Sequence, residues 1–172
     1  RYVIEQKKIS GTITAQNKEY DRSEAATIHQ TSLSGVIAGE NVTIDSGSGR
    51  FEDWNAGTGK QVTATGLSGQ DAANYQLTAT STTADITPRS VIGKISAKDK
   101  TYDSKTDATI EKVELTGILD GDSVDIDLNS GKFADKNAGT AKRVYADALI
   151  GDHASNYTLD ASQTATKADI TK

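Results

Sequence analysis

The chain has 172 residues, with 24 acidic against 19 basic side chains, a net charge of −5 and a pI near 5.0, so it lacks the basic stripe that a phosphate backbone demands. It contains no cysteine, which removes disulfides and thiolate metal sites, and no apolar run approaches the ~20 residues that span a bilayer. Hydrophobic residues make up 35% and aromatics 5%, with a mean hydropathy of −0.52; these values border on those of disordered chains, and only the patterning argues for a fold. The N-terminus carries no signal-peptide pattern, and with arginine at position 1 a fragment of a longer protein is expected.

In chain order, Ile9-Ser10-Gly11-Thr12-Ile13-Thr14-Ala15 puts apolar residues on one face at period 2, which predicts a strand. Asp21 to His29 has room for a helical turn. Ala38-Gly39-Glu40-Asn41 is a glycine-bearing break, and Val42-Thr43-Ile44-Asp45 alternates strictly. Further breaks fall at Ser46-Gly47-Ser48-Gly49, Asn55-Ala56-Gly57-Thr58 and Leu67-Ser68-Gly69-Gln70, with the alternating Val62-Thr63-Ala64-Thr65 between the last two. A second helical turn fits Asp71 to Asn74, and Tyr75-Gln76-Leu77-Thr78-Ala79 alternates again. Short strands rich in valine and threonine, separated by closely spaced turns, predict an all-β chain.

The pattern then repeats. Lys18-Glu19-Tyr20-Asp21 returns as Lys100-Thr101-Tyr102-Asp103, 82 positions on. The same register carries Ala26-Thr27-Ile28 to Ala108-Thr109-Ile110, Phe51 and Asp53 to Phe133 and Asp135, Asn55-Ala56-Gly57-Thr58 to Asn137-Ala138-Gly139-Thr140, and Asn74-Tyr75 to Asn156-Tyr157. Ala84-Asp85-Ile86-Thr87 matches Ala168-Asp169-Ile170-Thr171, which implies two residues inserted after Leu159. Two β modules follow, residues 1–88 and 89–172, joined at the sole proline, Pro88. Proline fixes φ and holds the preceding residue extended, so a short stiff linker and an end-to-end arrangement are expected. Arg1-Tyr2-Val3-Ile4 is set beside Arg89-Ser90-Val91-Ile92 as a second module start, with extra residues before Tyr20, and further modules are expected to precede it. Modules of ~80 residues without a staple are marginal by core burial alone, so neighbouring repeats are expected to contribute stability.

Asp71-Ala72-Ala73-Asn74-Tyr75-Gln76-Leu77 follows the tyrosine-corner arrangement of immunoglobulin domains, with Leu77 at the cysteine position; the second copy has His153 in place of the aspartate. An immunoglobulin-like β-sandwich is the first reading, and a β-grasp or other compact β module the alternative.

Taken together, Lys/Glu-Tyr-Asp, Phe-x-Asp-x-Asn-Ala-Gly-Thr, Asn-Tyr-x-Leu and Ala-Asp-Ile-Thr-Pro resemble the YDG and MBG repeats. Those recur in tandem in filamentous-haemagglutinin-like bacterial adhesins exported by two-partner secretion. The resemblance implies an extracellular, cell-surface stalk without catalytic residues, acting in adhesion or biofilm formation. It departs where the glycine after Tyr-Asp is replaced by Arg22 and Ser104.

Candidate sites are few. His29 and His153 are the only histidines and stand at non-equivalent positions; with no nucleophile or zinc motif beside them, no enzyme and no cofactor is expected. Asp120, Asp122, Asp125 and Asp127 concentrate carboxylates as calcium loops do, though Val124-Asp125-Ile126-Asp127 also alternates like a strand. Trp54, beside Asp53 and Asn55, is the one candidate for stacking on a sugar or anchoring a partner, where the other copy has Lys136. Lys100 and Asn156 are conceivable partners in an isopeptide bond. Tyr20, Tyr102, Tyr75, Tyr157, Asn74, Asn156, Gly57, Gly139 and Pro88 are expected to be structural. The implied partners are neighbouring repeats and a polysaccharide or host surface, with no nucleic acid and no membrane insertion. A glycan-binding module and an accessory domain of a secreted enzyme are the alternative readings.

Overall fold

A computed structural model describes residues 2–172 and divides into two compact units, Arg1–Thr87 and Pro88–Lys172, so the boundary proline heads the second unit. The first unit holds β1 (Lys7–Ala15), β2 (Lys18–Glu19), β3 (Ile28–Ser34), β4 (Thr43–Ile44), β5 (Gly49–Phe51), β6 (Gly57–Ala64), β7 (Leu67–Ser68), β8 (Tyr75–Leu77) and β9 (Thr80–Thr87). The second holds β10 (Arg89–Ala97), β11 (Lys100–Thr101), β12 (Ile110–Thr116), β13 (Asp125–Ile126), β14 (Lys132–Phe133), β15 (Gly139–Tyr145), β16 (Leu149–Ile150), β17 (Tyr157–Leu159) and β18 (Ala165–Thr171). Among the described residues the only helical pieces are three-residue 3-10 turns at Ser46–Ser48, Ala72–Asn74, Leu128–Ser130 and Ala154–Asn156. The protein is all-β, two repeated modules in tandem.

Each unit has the same pairing. In the first, one sheet runs β3-β1-β8, a second β2-β9-β6-β5, and β4 pairs with β7. β1 lies antiparallel to β3 and parallel to β8. Its continuation β2 crosses to the other sheet and runs parallel to the last strand, β9. The opening stretch of chain therefore stitches both sheets. Alternation then fills the space between them: Ile9 and Ile13 from β1, Ile28, Ile44, Phe51, Val62, Tyr75, Ala84 and Ile86 are all buried, while the intervening threonines, serines and charges mostly face water.

Several expectations change. The larger sheets each contain a parallel pair, and β8 and β9 lie in different sheets, whereas immunoglobulin domains pack two antiparallel sheets. No helix is present for a β-grasp among the described residues. Lys7 stands opposite Tyr75 as Arg89 stands opposite Tyr157, so Lys7–Ser10 is the counterpart of Arg89–Ile92. Arg1 lies outside the described residues; Tyr2, Val3 and Ile4 precede β1 and are exposed. Asp21 to His29 forms no helical turn, because Lys18 and Asp21 tie it into an open loop ahead of β3. Leu67-Ser68, read as part of a break, is strand β7. The inserted residues fall between β17 and β18, in the turn after Leu159.

Candidate functional site

The residues that recur in both copies converge on backbone and on one another. Lys18 Nζ donates to Asp21 Oδ1 at 2.8 Å and to the Ser23 carbonyl at 2.6 Å, and it stands 5.5 Å from the centroid of the Phe51 ring. Lys100 repeats this with Asp103 at 2.9 Å, the Lys105 and Asp107 carbonyls, and the Phe133 ring at 5.5 Å. The ties hold a left-handed residue in place: Arg22 has φ 63° and Ser104 φ 64°. The turn geometry thus survives without the glycine that would adopt it most readily.

A second tie builds the Phe-x-Asp-x-Asn-Ala-Gly-Thr turn. Asp53 Oδ1 accepts from the Asn55 N–H and from Lys60 Nζ, both at 2.7 Å. Asp135 accepts likewise from the Asn137 N–H and from Lys142. Gly57 and Gly139 lie against the aliphatic stems of these lysines, which buries most of each side chain while the ammonium reaches the carboxylate. Across the turn, the Asp85 and Asp169 carboxylates accept the N–H of Gly59 at 2.8 Å and of Ala141 at 2.7 Å.

The third tie is the tyrosine. Tyr75 accepts the Ile37 N–H at 3.0 Å and donates to Glu40; Tyr157 accepts the Leu119 N–H at 3.0 Å and donates to Asp122. In an immunoglobulin corner the hydroxyl reaches backbone a few residues upstream; here it crosses 38 residues to a different loop. The aspartate of that motif does separate work. Asp71 Oδ2 accepts the Asn41 N–H at 2.7 Å, and His153 Nδ1 accepts the Ser123 N–H at 3.0 Å. The exchange of aspartate for histidine is tolerated because each presents a bare acceptor to the same backbone donor. Burial and the Glu40 carboxylate push the Tyr75 hydroxyl up from its ordinary value.

The carboxylates suspected of holding calcium are not brought together. Asp122 is drawn to Tyr157, Asp125 to Lys112 at 2.9 Å, and Asp127 caps the Leu128–Ser130 turn through the Asn129 N–H at 2.9 Å. Asp120 is exposed, and among the described residues no three of His, Cys, Asp or Glu group as a metal site. The Lys100 amine is engaged in its own loop, while Asn156 is buried at the end of a turn leading into the other sheet; the structure gives no isopeptide pair there. His29 is exposed on β3 beside Gln16. Trp54 is 42% exposed at the β5–β6 turn, where Lys136 is also exposed. Tyr20 is fully buried while Tyr102 is 47% exposed, beside Asn137, Ala138 and Lys172.

Acid should loosen these ties. The Lys142 ammonium, then the Asn137 N–H, hold Asp135 below its ordinary value; the Lys100 ammonium, then the Lys105 N–H, do so for Asp103; and Lys60 does so for Asp53 against a smaller opposing effect of burial. Carboxylates depressed in the folded state contribute stability that is present above their unfolded pKa, about 4, and lost as pH falls through the folded values. The urea midpoint should therefore be flat from pH 7 to about pH 5 and fall below about pH 4. A midpoint unchanged at pH 3 would refute the ties.

No curated protein and no solved structure matches the chain. A family model for the YDG domain matches residues 5–84 and again residues 87–166, an interval of 82 that coincides with the repeat. Apart from Asp85 and Asp169, the residues of these ties lie within the two spans, and the chain belongs to the YDG domain family, in two tandem copies.

Proposed function

We propose that the chain is a non-catalytic, extracellular stalk segment of a large bacterial surface adhesin, exported by two-partner secretion and holding an adhesive region away from the cell. One observation carries this reading: the motif residues shared by both copies hold backbone or one another, through Lys18/Lys100, Asp53/Asp135, Tyr75/Tyr157 and Asp85/Asp169. What recurs is a scaffold. At Trp54 against Lys136, where the copies differ, both side chains are exposed. A repeated scaffold with unshared surfaces suits reach better than recognition.

A glycan-binding module is the second reading, favoured by the exposed indole of Trp54 between polar neighbours. An exchange separates the two. In the parent protein displayed on cells, both modules are replaced by unrelated β modules of equal length, and Trp54→Ala is made alongside. A spacer tolerates both changes, and a binder tolerates neither.

A further inference from the structure

Three consecutive large apolar side chains, Tyr2, Val3 and Ile4, stand exposed ahead of β1 and belong to no strand. Single exposed apolar residues are ordinary, but a contiguous run of them marks a surface that something covers. The first module does not cover it, since Ile4 is 99% exposed. Only at Gln6, whose side chain donates to the Ala73 carbonyl at 2.9 Å, does the segment become tied to that module.

The register of β1 identifies the missing cover. Lys7 pairs with Tyr75 as Arg89 pairs with Tyr157. Counted back from there, Gln6 takes the place of Pro88, and residues 2–5 take the place of Ala84-Asp85-Ile86-Thr87, the end of β9. β9 is an interior strand, parallel to β2 on one side and antiparallel to β6 on the other. β18 lies in the same way between β11 and β15. The apolar face keeps step: Tyr2 and Ile4 fall where Ala84 and Ile86 point into the core, and Ile86 is 1% exposed. Ile4 is the one identity with β9, and the rest of the match is this alternation.

We propose that residues 2–5 are the last strand of a further YDG module encoded upstream in the parent chain, held there between a strand like β2 and a strand like β6. A second copy of this chain does not suit the segment, because in both units that slot already holds β9 or β18. A lone strand gains little order by itself, and the two units show what such a strand is built to lie between. The segment then passes through Gln6 into β1, as β9 passes through Pro88 into β10. The upstream sequence should accordingly carry Tyr-Asp and Asn-Ala-Gly-Thr at the spacings they keep ahead of β9. The inference holds whether the chain is a spacer or a binder.

Amide hydrogen exchange and urea unfolding on this chain, and on the parent chain extended upstream by one module of about 80 residues, test it. In the extended chain the amides of Val3, Ile4 and Glu5 should exchange at least about tenfold more slowly than in the shorter one. Ile4→Asp puts a carboxylate into the added module's core and should lower that module's urea midpoint by about 1 M or leave it unfolded. In the shorter chain the same substitution should leave both midpoints unchanged. Val3→Asp, on the opposite face and matching Asp85 of β9, should be tolerated in both. Unprotected amides in the extended chain, an added module indifferent to Ile4→Asp, a shorter chain destabilised by it, or an upstream sequence without the two motifs each overturns the proposal.

Discussion

Phe51→Ala should lower the stability of the first module by about 3–5 kcal/mol, and Phe133→Ala should do the same to the second. These are the only two phenylalanines, and they are 2% and 1% exposed. Each ring closes the core from the second sheet and lies under the ammonium of Lys18 or Lys100. Truncation leaves a cavity and also strips the lysine of the aromatic face, a contact worth about 0.5–1 kcal/mol where partly exposed. In a module of ~80 residues such a loss is a large part of the total. Urea unfolding should show the midpoint of the affected module falling steeply, whereas Phe51→Leu, closer in volume, should lower it far less. A Phe51→Ala midpoint within experimental error of wild type would mean that the ring does not hold the core.

Gly69→Ala and Gly151→Ala should be nearly as damaging, at about 2–4 kcal/mol, for a different reason. These residues have φ +114° and +121°, a region that side chains rarely adopt. A methyl group there would also collide with the backbone carbonyl of Asn41 or Ser123, which accepts the N–H of Asp71 or His153. The same two residues return a side-chain acceptor to the N–H of Asn41 or Ser123. The glycine thus lets two loops bond reciprocally at close approach. Neighbouring Gly39, equally left-handed, has open space around its Cβ position, so Gly39→Ala should show the conformational penalty alone. If thermal melts give Gly69→Ala and Gly39→Ala the same loss, close approach is not what selects glycine at position 69.

Much of this was legible in the sequence because it is local or repeated. Ile9 and Ile13 announce a strand by their spacing, and the repeat, shifted by two residues at its last strand, places every tie twice. Three features were not legible. The parallel partnership of β1 with β8 depends on the path of the whole module, and no local pattern encodes it. Two-residue strands such as Leu67–Ser68 are too short to show a period. The carboxylates were misleading: an Asp whose side chain accepts the N–H two residues on recurs at Asp21, Asp45, Asp53, Asp103, Asp127, Asp135 and Asp160. That is the Asx turn, and it accounts for Asp127 without calcium. Its signal was present in the sequence as the aspartate ahead of a break, at Asp45 before Ser46-Gly47 and at Asp53 before Asn55-Ala56-Gly57.

The central claim is that these modules supply length. Adhesion by the parent protein on whole cells, measured with both modules present, with both deleted, and with unrelated β modules of equal length in their place, tests it most directly. Adhesion should drop on deletion, return fully with the unrelated modules, and be unaffected by Trp54→Ala. If the length-matched replacement fails to restore adhesion, and Trp54→Ala alone lowers it, the modules recognise a ligand and the spacer account is wrong.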